Sequence, residues 1–394
     1  MATGLQDDLL RIDAKTQQGL IDHRRHLHSE PELAFAEHQT AAYIARTLDG
    51  MGSVDNVHFV AGTGVVADIK GKLPGRSLLV RADMDALPIT EAGDLPFRSR
   101  HQGVMHACGH DVHMAIALQL ASYLSANADR LPGTVRFAFQ PAEEGAGGAR
   151  AMVEAGVLDG VDRVVGLHVW AGLPTGQVSV RGDAMMASAD FFTLTVRGKG
   201  GHGAMPEATV DAIVIAVEIV GALQTLVSRE TSPRAPVVVT LGSIHGGSAH
   251  NIIAGQVVIL GTLRTFDAEL RARLLNRIRE LAAGIAEAMR GSCGFRHDSG
   301  TPPTVNDSAV ARLVAGAART VLGEAAVVPF EPLMVGEDFA YFLEARPGCF
   351  FLLGGAPEGP PVVHHTAEFS VDERCLAIGL RVMTAAVLRL LAPD

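Results

Sequence analysis

Cysteine is scarce in this chain, which has only four cysteines among its 394 residues, at positions 108, 293, 349 and 375. Small secreted proteins that depend on disulfides concentrate cysteine far more strongly. The sequence is therefore not a disulfide framework, and we expect a reducing, cytoplasmic compartment. The N-terminal stretch MATGLQDDLLRIDAK also lacks the apolar run of a signal peptide, so none is predicted.

Long apolar runs and an excess of positive charge are missing as well. No uninterrupted apolar stretch reaches the roughly 18 residues that a membrane-spanning helix needs. Lysine and arginine number 33 against 43 aspartates and glutamates, which gives a formal net charge of −10 at pH 7. No basic stripe interrupts this acidic balance, so we expect neither a membrane span nor a nucleic-acid partner.

The remaining composition is that of a globular protein, with 48% hydrophobic residues and a length that suggests two domains. Predicted helices alternate with apolar runs that predict buried strands: GVVADI, SLLVRADMDALPI, GTVRFAFQ, RVVGLHVW and GCFFLLGG. The stretch DVHMAIALQLASYLSANADRL predicts a long helix with Asp111 as its N-cap. This alternation predicts an α/β domain in which helices flank a mostly parallel sheet.

The pattern changes near residue 187, where an alternating strand replaces the buried runs. From there to residue 299 the predicted order is β-α-β-β-α-β, the ferredoxin-like arrangement. We therefore predict a catalytic domain in two parts, residues 1–186 and 300–394, and an inserted lid or dimerisation domain, residues 187–299.

Side chains that bind metals follow several of the predicted strands. Carboxylates, histidines and a cysteine stand at Asp83, Asp85, Cys108, His110, Glu143, Glu144, His168, His364 and His365. Because ligands gather at the carboxyl ends of parallel strands, these side chains are expected to converge at one edge of the sheet. Imidazole, carboxylate and thiolate together suit borderline divalent ions.

Each of these stretches also has a simpler interpretation when it is taken alone. In HACGHDVHMA, Cys108 could be an inert buried thiol, and His106 and His113 could compete with His110 as ligands or be ordinary structural residues. In AEEG, one of Glu143 and Glu144 could bind metal while the other deprotonates a water, or both could belong to a solvated acidic loop.

Nine stretches in register give the sequence a specific resemblance. The chain resembles the aminoacylase and carboxypeptidase family of dinuclear metallohydrolases, and within it the amidohydrolase branch of hippurate hydrolases, N-acetyl-amino-acid deacetylases and indole-acetyl-amino-acid hydrolases. The stretches are HRRHLHSEPELAFAEHQTA, RADMDALPI, MHACGHDVHMA, FQPAEEGAGGARAMVEAG, GLHVW, GHGAMPE, GTLRTFD, GEDFAYF and VHHTAEFSVDE.

The resemblance implies two divalent metal ions per subunit, manganese, zinc, nickel or cobalt, and a general base at Glu143. The implied metal ligands are Cys108, His110, Glu144, His168 and His365, with His364 as the alternative to His365. Cys108 distinguishes this branch, since other relatives have a bridging aspartate at that position. Asp85, and less clearly Asp83, would orient the metal site without binding the ions.

The resemblance also implies roles for residues of the predicted lid. His202 would stabilise the oxyanion, although without the resemblance an exposed loop histidine is the simpler interpretation. Glu207 stands where the family commonly has a histidine. Asn251 and Arg264 would hold the substrate's carboxylate, an arginine being able to bind it through two hydrogen bonds. The simpler alternative for Arg264 is a salt bridge at a strand edge. Glu337 and Asp338 fit a structural or substrate-pocket loop.

The function implied is hydrolysis of the amide bond of small N-acyl amino acids by a metal-dependent enzyme that forms a homodimer or a higher homo-oligomer. Three alternatives stay open. They are a metallo-dipeptidase or aminopeptidase on the same scaffold, a catalytically silent binding protein, and a thiol enzyme with Cys108 as its nucleophile.

Overall fold

The computed structural model describes residues 10–145 and 147–393. Residues 1–9 of the N-terminal stretch, for which no signal peptide was predicted, lie outside the described residues. Two compact units are present. The first contains the described residues of Met1–Asp183, Val305–Glu331 and Asp338–Asp394, and the second contains Ala184–Thr304 and Pro332–Glu337. The domain limits drawn from the sequence stay a prediction.

The described part of the chain contains nine α-helices and fifteen strands. The helices are α1 (Ala14–Ser29), α2 (His38–Asp49), α3 (His110–Ala126), α4 (Gly148–Glu154), α5 (Ala212–Ser228), α6 (Ala268–Ala288), α7 (Ser308–Leu322), α8 (Ala340–Ala345) and α9 (Arg374–Leu391). The strands are β1 (Asp55–Val60), β2 (Gly64–Lys70), β3 (Leu73–Asp83), β4 (Pro132–Gln140), β5 (Arg163–Pro174), β6 (Val178–Ser179), β7 (Asp183–Met186), β8 (Ala189–Arg197), β9 (Gly201–His202), β10 (Val237–Gly246), β11 (Ile252–Ile253), β12 (Gln256–Thr265), β13 (Ser292–Thr301), β14 (Thr304–Asn306) and β15 (Gly348–Ala356).

A seven-stranded sheet in the order β1-β2-β4-β3-β5-β15-β6 forms the centre of the first unit. Its four middle strands, β4, β3, β5 and β15, run parallel, while β1, β2 and β6 are antiparallel to their neighbours. The apolar runs of the middle strands are buried and pack with α1, α3, α7 and α9. The prediction of an α/β fold with a mostly parallel central sheet is confirmed.

The start of α3 differs from the prediction, which placed Asp111 at the N-cap. The N-cap is Gly109, whose φ of 93° lies in the left-handed region. A Cβ at this position would stand 2.3 Å from a methyl carbon of Val169, so the close approach to β5 also requires glycine. Asp111 lies in the first turn instead, where its buried carboxylate accepts hydrogen bonds from Arg24 and His28.

In the second unit, four antiparallel strands form a sheet in the order β10-β12-β8-β13. Alternate residues of β8 and β12 are buried against α5 and α6. Both helices begin at an aspartate whose carboxylate accepts main-chain N–H groups of the first turn, Asp211 for α5 and Asp267 for α6. That this unit serves as a lid or dimerisation domain stays a prediction.

Across the helices that the structure describes, none combines the length and the apolar character needed to cross a membrane.

Candidate metal centre

The predicted convergence of metal-binding side chains is a feature of the first unit. Asp83 ends β3, the Glu143–Glu144 pair follows β4, His168 lies in β5, and His364 and His365 follow β15. Since these strands are parallel, their carboxyl ends share one edge of the sheet, and α3 begins at the same edge with Cys108 and His110. The topology brings together residues that are up to 282 positions apart.

Cys108 occupies the middle of this cluster. Its Sγ lies 3.4 Å from Nε2 of His168 and 3.4 Å from Nε2 of His365. Glu144 Oε1 lies 3.1 Å from the same nitrogen of His365. Two overlapping sets, Cys108 with His110 and His168 and Cys108 with Glu144 and His365, each place three donor atoms within 4.8 Å of one another.

His110 presents one ring nitrogen that is open to a ligand. Its Nδ1–H donates to the main-chain oxygen of Asp85 at 2.8 Å, so Nε2 is the ring nitrogen that faces the cluster and can bind a cation once it has lost its proton. Nε2 is buried and has no hydrogen-bond partner in the part of the chain that the structure describes. Because buried polar atoms are nearly always satisfied, this unpartnered nitrogen, beside the carboxylate of Glu144, fits a metal ion.

The two adjacent histidines after β15 differ in the protonation that their contacts impose. Nε2 of His364 accepts the main-chain N–H of Ala171 at 3.0 Å, so the proton of the neutral ring lies on Nδ1, the nitrogen that faces Cys108 at 3.8 Å. Burial and the neighbouring His365 lower the pKa of His364 to about 3, and its ring stacks on Trp170. A protonated Nδ1 cannot bind a metal, which favours His365 over His364 as the ligand.

His113, the other competitor for a ligand position, has both ring nitrogens engaged. Nε2 accepts the main-chain N–H of Val169 at 2.8 Å, and Nδ1 donates to Asp83 at 2.5 Å. His106 is also buried, and both of its nitrogens lack a partner among the described residues, but it belongs to none of the described metal-binding sets. The geometry therefore favours His110 over both neighbours.

Asp83 is held within a buried ionic network that the sequence analysis did not anticipate. The guanidinium of Arg81 pairs with Asp83 and with Asp338, and Asp338 also accepts hydrogen bonds from Gln140 and from the N–H of Ala149. Burial opposes ionisation of Asp83, yet Arg81, His110 and His113 hold its pKa well below the usual range. Arginine inside the apolar run SLLVRAD was a signal for such a network, since a buried charge needs partners.

The surplus of carboxylates governs protonation in the cluster. Burial, followed by the charges of Glu144 and Glu143, raises the pKa of the Cys108 thiol well above its ordinary value. Burial alone would lower the pKa of His110, but Asp83 and Asp85 raise it to about 10. A thiol and an imidazolium in these states would both lose a proton to solvent when a cation binds, and the surplus negative charge favours that cation, so the chemistry of the donor set fits divalent metal ions.

Asp85 fixes the loop that carries the glutamate pair. Its two carboxylate oxygens accept the main-chain N–H groups of Glu143 at 3.0 Å and of Glu144 at 2.9 Å, while its main-chain oxygen holds His110. One buried residue thus orients both the start of α3 and the glutamate loop. Residues that hydrogen-bond to metal ligands commonly orient them in this way.

The remaining predicted site residues belong to the second unit. His202 and Asn251 are neighbours there, because β9 pairs with β11 and the N–H of Gly203 donates to the main-chain oxygen of Asn251. Nδ1 of the exposed His202 accepts the N–H of Ala204 at 3.1 Å, which puts the proton of the neutral ring on Nε2. Arg264, half-buried in β12, lies over the ring of Phe191, and burial lowers the pKa of its guanidinium. Glu337 also falls within this unit.

Comparisons with known proteins cover almost the entire chain. Residues 79–389 match the model described as Peptidase family M20/M25/M40. The N-acetyl-L-cysteine deacetylase of Bacillus subtilis (strain 168) is 42% identical over 360 residues, 91% of this chain and 85% of that protein. The N-acyl-L-amino acid amidohydrolase of Geobacillus stearothermophilus is 43% identical over 302 residues, 76% of this chain and 81% of that protein.

A solved structure is similar in fold over the same extent. The crystal structure of a dinuclear metal-binding peptidase of the M20 family from Bacillus subtilis has a TM-score of 0.84 and 35% identity, and the match covers 96% of this chain and 99% of that one. The likeness is therefore one of whole chains and not of single motifs.

Proposed function

Because this chain belongs to peptidase family M20/M25/M40 and is a metal-dependent hydrolase, we propose that it hydrolyses the amide bond of N-acyl amino acids. The products are a carboxylic acid and a free amino acid. The relatives named as a deacetylase of N-acetyl-L-cysteine and as an amidohydrolase of N-acyl-L-amino acids support this substrate class. The observation that carries the proposal is the cluster of metal-binding side chains beside Glu143, in which the buried Nε2 of His110 has no hydrogen-bond partner among the described residues.

Five side chains of the first unit would hold two divalent ions: Cys108, His110, Glu144, His168 and His365. Manganese, zinc, nickel and cobalt all accept this mixed set of nitrogen, oxygen and sulfur donors. When bound, such ions polarise a carbonyl group and lower the pKa of a water molecule toward about 7. The hydrogen bonds of Asp85 to His110 and to the glutamate loop would keep these ligands in place.

Glu143 is proposed as the general base. Its main-chain N–H is fixed by Asp85, and its Oε2 lies 3.9 Å from the open nitrogen of His110. Its carboxylate would take a proton from the attacking water and deliver that proton to the leaving amine nitrogen. Two neighbouring glutamates then have separate roles, Glu144 as ligand and Glu143 as base.

Residues of the second unit would act on the substrate. The Nε2–H of His202 would donate to the oxyanion that forms during attack, which the acceptance of the Ala204 N–H at Nδ1 supports. Asn251 and Arg264 would bind the carboxylate of the amino-acid part. The unit itself would serve as a lid or dimerisation domain of a homodimer or higher homo-oligomer, in a protein that the scattered cysteines suggest is cytoplasmic.

The experiment that tests the proposal is amino-acid release from a panel of N-acetyl, N-benzoyl and longer N-acyl amino acids. The metal-free protein is reloaded with manganese, zinc, nickel or cobalt in turn and compared with Glu143→Gln. We expect release that needs added metal and that falls by about 10²- to 10⁴-fold in the variant, the contribution of a general base. The metal content of Glu143→Gln, measured by mass spectrometry, should match that of the unmodified enzyme.

Other outcomes would select other functions. Cleavage of free dipeptides without release from any acyl amino acid would replace the proposal with a metallo-dipeptidase or aminopeptidase. Full activity of Glu143→Gln would remove the base assignment, and inactivity on both substrate classes with metal bound would favour a binding protein. The thiol-enzyme alternative is already weakened, because a nucleophilic cysteine needs a lowered pKa and that of Cys108 is raised.

A further inference from the structure

The backbone immediately before the glutamate pair is in an unusual conformation. Ala142 has a φ of 54°, in the left-handed region that residues with a Cβ rarely adopt. It is fully buried, and its main-chain oxygen accepts the N–H of Gly148 at 3.1 Å. The direction in which the chain enters Glu143 depends on this one residue, so whatever holds Ala142 also aims the proposed base.

Glu37, from a distant part of the sequence, fixes the backbone of Ala142 through a hydrogen bond. Its carboxylate is completely buried, and Oε1 accepts the N–H of Ala142 at 2.9 Å. Oε2 accepts the hydroxyl of Thr63, which lies in the turn between β1 and β2. No cationic side chain pairs with Glu37 among the described residues, so its two oxygens are committed to the two groups that they contact.

Three consecutive N–H groups are consequently held by two buried carboxylates. Glu37 takes that of Ala142, and Asp85 takes those of Glu143 and Glu144. The two carboxylates differ in what else they touch. Asp85 also fixes His110, whereas Glu37 touches no residue of the proposed metal centre. The charge of Glu37 also acts on Asp85 through space, so Glu37→Gln, which keeps the acceptor but removes the charge, separates that route from the one through the backbone of Ala142.

We propose that Glu37 is a positioning residue that keeps Ala142 in its left-handed conformation. It thereby orients the carboxylate of Glu143 toward the water proton that this carboxylate removes. The proposal rests on the proposed function, in which Glu143 is the general base. It assigns to a residue outside the metal centre a role in turnover that does not involve binding of metal or substrate.

Variants at position 37 separate this role from simple folding. In Glu37→Leu the N–H of Ala142 is left buried without an acceptor, and we expect kcat to fall by about 10- to 100-fold, as for other supporting groups. KM and metal content should stay within about threefold, because neither depends on the aim of Glu143. Glu37→Gln keeps an oxygen acceptor in place and should restore kcat to within about threefold of the unmodified enzyme.

Glu37→Asp provides a second variant should Glu37→Leu fail to fold. Aspartate keeps the charge but is one methylene shorter, so it cannot reach both Thr63 and Ala142, and kcat should fall as in the leucine variant. A value of kcat equal to that of the unmodified enzyme in whichever of the two folds would overturn the proposal.

Two matched controls test the route of the effect. Thr63→Val removes the other partner of Glu37 and should leave kcat unchanged. An equal loss in Thr63→Val would place the effect in the β1–β2 turn and overturn the proposal. Asp68→Asn alters a buried carboxylate of the same unit that pairs with Arg136 away from the cluster. It should lower thermal stability without lowering kcat, and a matching loss of kcat would make the Glu37 effect one of general stability.

A double-mutant cycle with Ala142→Gly adds a direct test, since glycine adopts positive φ without a steric penalty. The double variant Glu37→Leu, Ala142→Gly should have a kcat at least about threefold higher than Glu37→Leu alone. Ala142→Gly alone should change kcat of the unmodified enzyme by less than about twofold. Strictly additive effects would contradict the proposal.

The crystal structure of Glu37→Leu gives a readout that does not depend on substrate. A φ of residue 142 that leaves the left-handed region supports the proposal, and an unchanged backbone through Glu143 overturns it. Inactivity of the unmodified enzyme on every acyl amino acid would instead defeat the proposed function, while this structural comparison still decides the role of Glu37.

Discussion

The residues proposed for the metal centre and those proposed to contact the substrate lie in different surroundings within their own units. In the first unit, His110, His168 and Cys108 are buried, and hydrogen bonds fix which nitrogen of these two histidines faces the cluster, whereas the side chain of His365 is half exposed. In the second unit, His202 and Asn251 are exposed, and His202 is oriented by one N–H at two residues' distance. Burial makes His110, His168 and Cys108 a preorganised set whose parts depend on one another, whereas the residues of the second unit can be changed one at a time.

The largest effect is expected where this mutual dependence is strongest, at Cys108. Cys108→Ala removes the central donor, and we expect loss of bound metal together with a fall in kcat/KM of about 10³-fold or more, several kcal/mol of transition-state stabilisation. Metal content and amino-acid release are measured on the same preparation.

Cys108→Asp makes the comparison sharper, since relatives are expected to carry a bridging aspartate at this position. A carboxylate can bind metal but cannot replace a thiolate nucleophile. Partial recovery of metal content and activity in the aspartate variant supports a ligand role. Full metal content with no activity would instead support the thiol enzyme.

A smaller and more selective effect is expected at His202. Because this side chain is exposed and outside the buried cluster, His202→Ala should lower kcat by about 10²- to 10³-fold, as for loss of an oxyanion donor, with metal content and thermal midpoint unchanged. Steady-state kinetics and metal analysis check both parts. Loss of metal equal to that in Cys108→Ala would break the contrast between the two groups and make His202 a structural residue.

Residue types and their positions along the strands were enough to predict that metal-binding side chains converge. Parallel strands bring their carboxyl ends to one edge of the sheet regardless of how individual side chains pack. The hydrogen bonds that decide between neighbours were not predictable. Asp111 fits the composition of an N-cap, yet its carboxylate is taken by Arg24 and His28, which lie 87 and 83 positions away. Likewise, the resemblance favoured His365 over His364, but the letters HH carry no physical reason for that choice, which depends on which nitrogen meets the N–H of Ala171.

Glu37 shows a further limit of inference from sequence. Its contact with Ala142 joins residues 105 positions apart, and an alanine at positive φ carries no signal of its own, unlike a glycine. The sequence therefore indicates which groups can do chemistry more readily than which groups hold them in place, because the latter act through backbone conformations that only the folded chain defines.

The smallest expected effect concerns stability. It tests whether the buried ion pairs of Asp111, next to the proposed ligand His110, include His28 of α1. Burial alone would lower the pKa of His28, but hydrogen bonds to Asp111 and Glu91 raise it from 6.5 to about 9. A pKa that is higher in the folded state means a stabilising contribution that is fully present below pH 6.5, declines as the pH rises, and is lost above about 9. The shift corresponds to a contribution on the order of 3 kcal/mol at low pH.

His28→Gln removes this titration while keeping a side chain that can donate to a carboxylate. The thermal midpoint of the metal-loaded variant should lie below that of the unmodified protein at pH 6, and the difference should shrink toward pH 10. Comparing the two proteins at each pH cancels the contribution that every other titrating group makes to the pH dependence of stability. A difference that does not change with pH would show that His28 is not held as an imidazolium. The buried ion pair of Asp111 would then involve Arg24 and not His28. Since Asp111 adjoins His110, a difference with the expected sign would extend the preorganised part of the first unit from the metal ligands to α1.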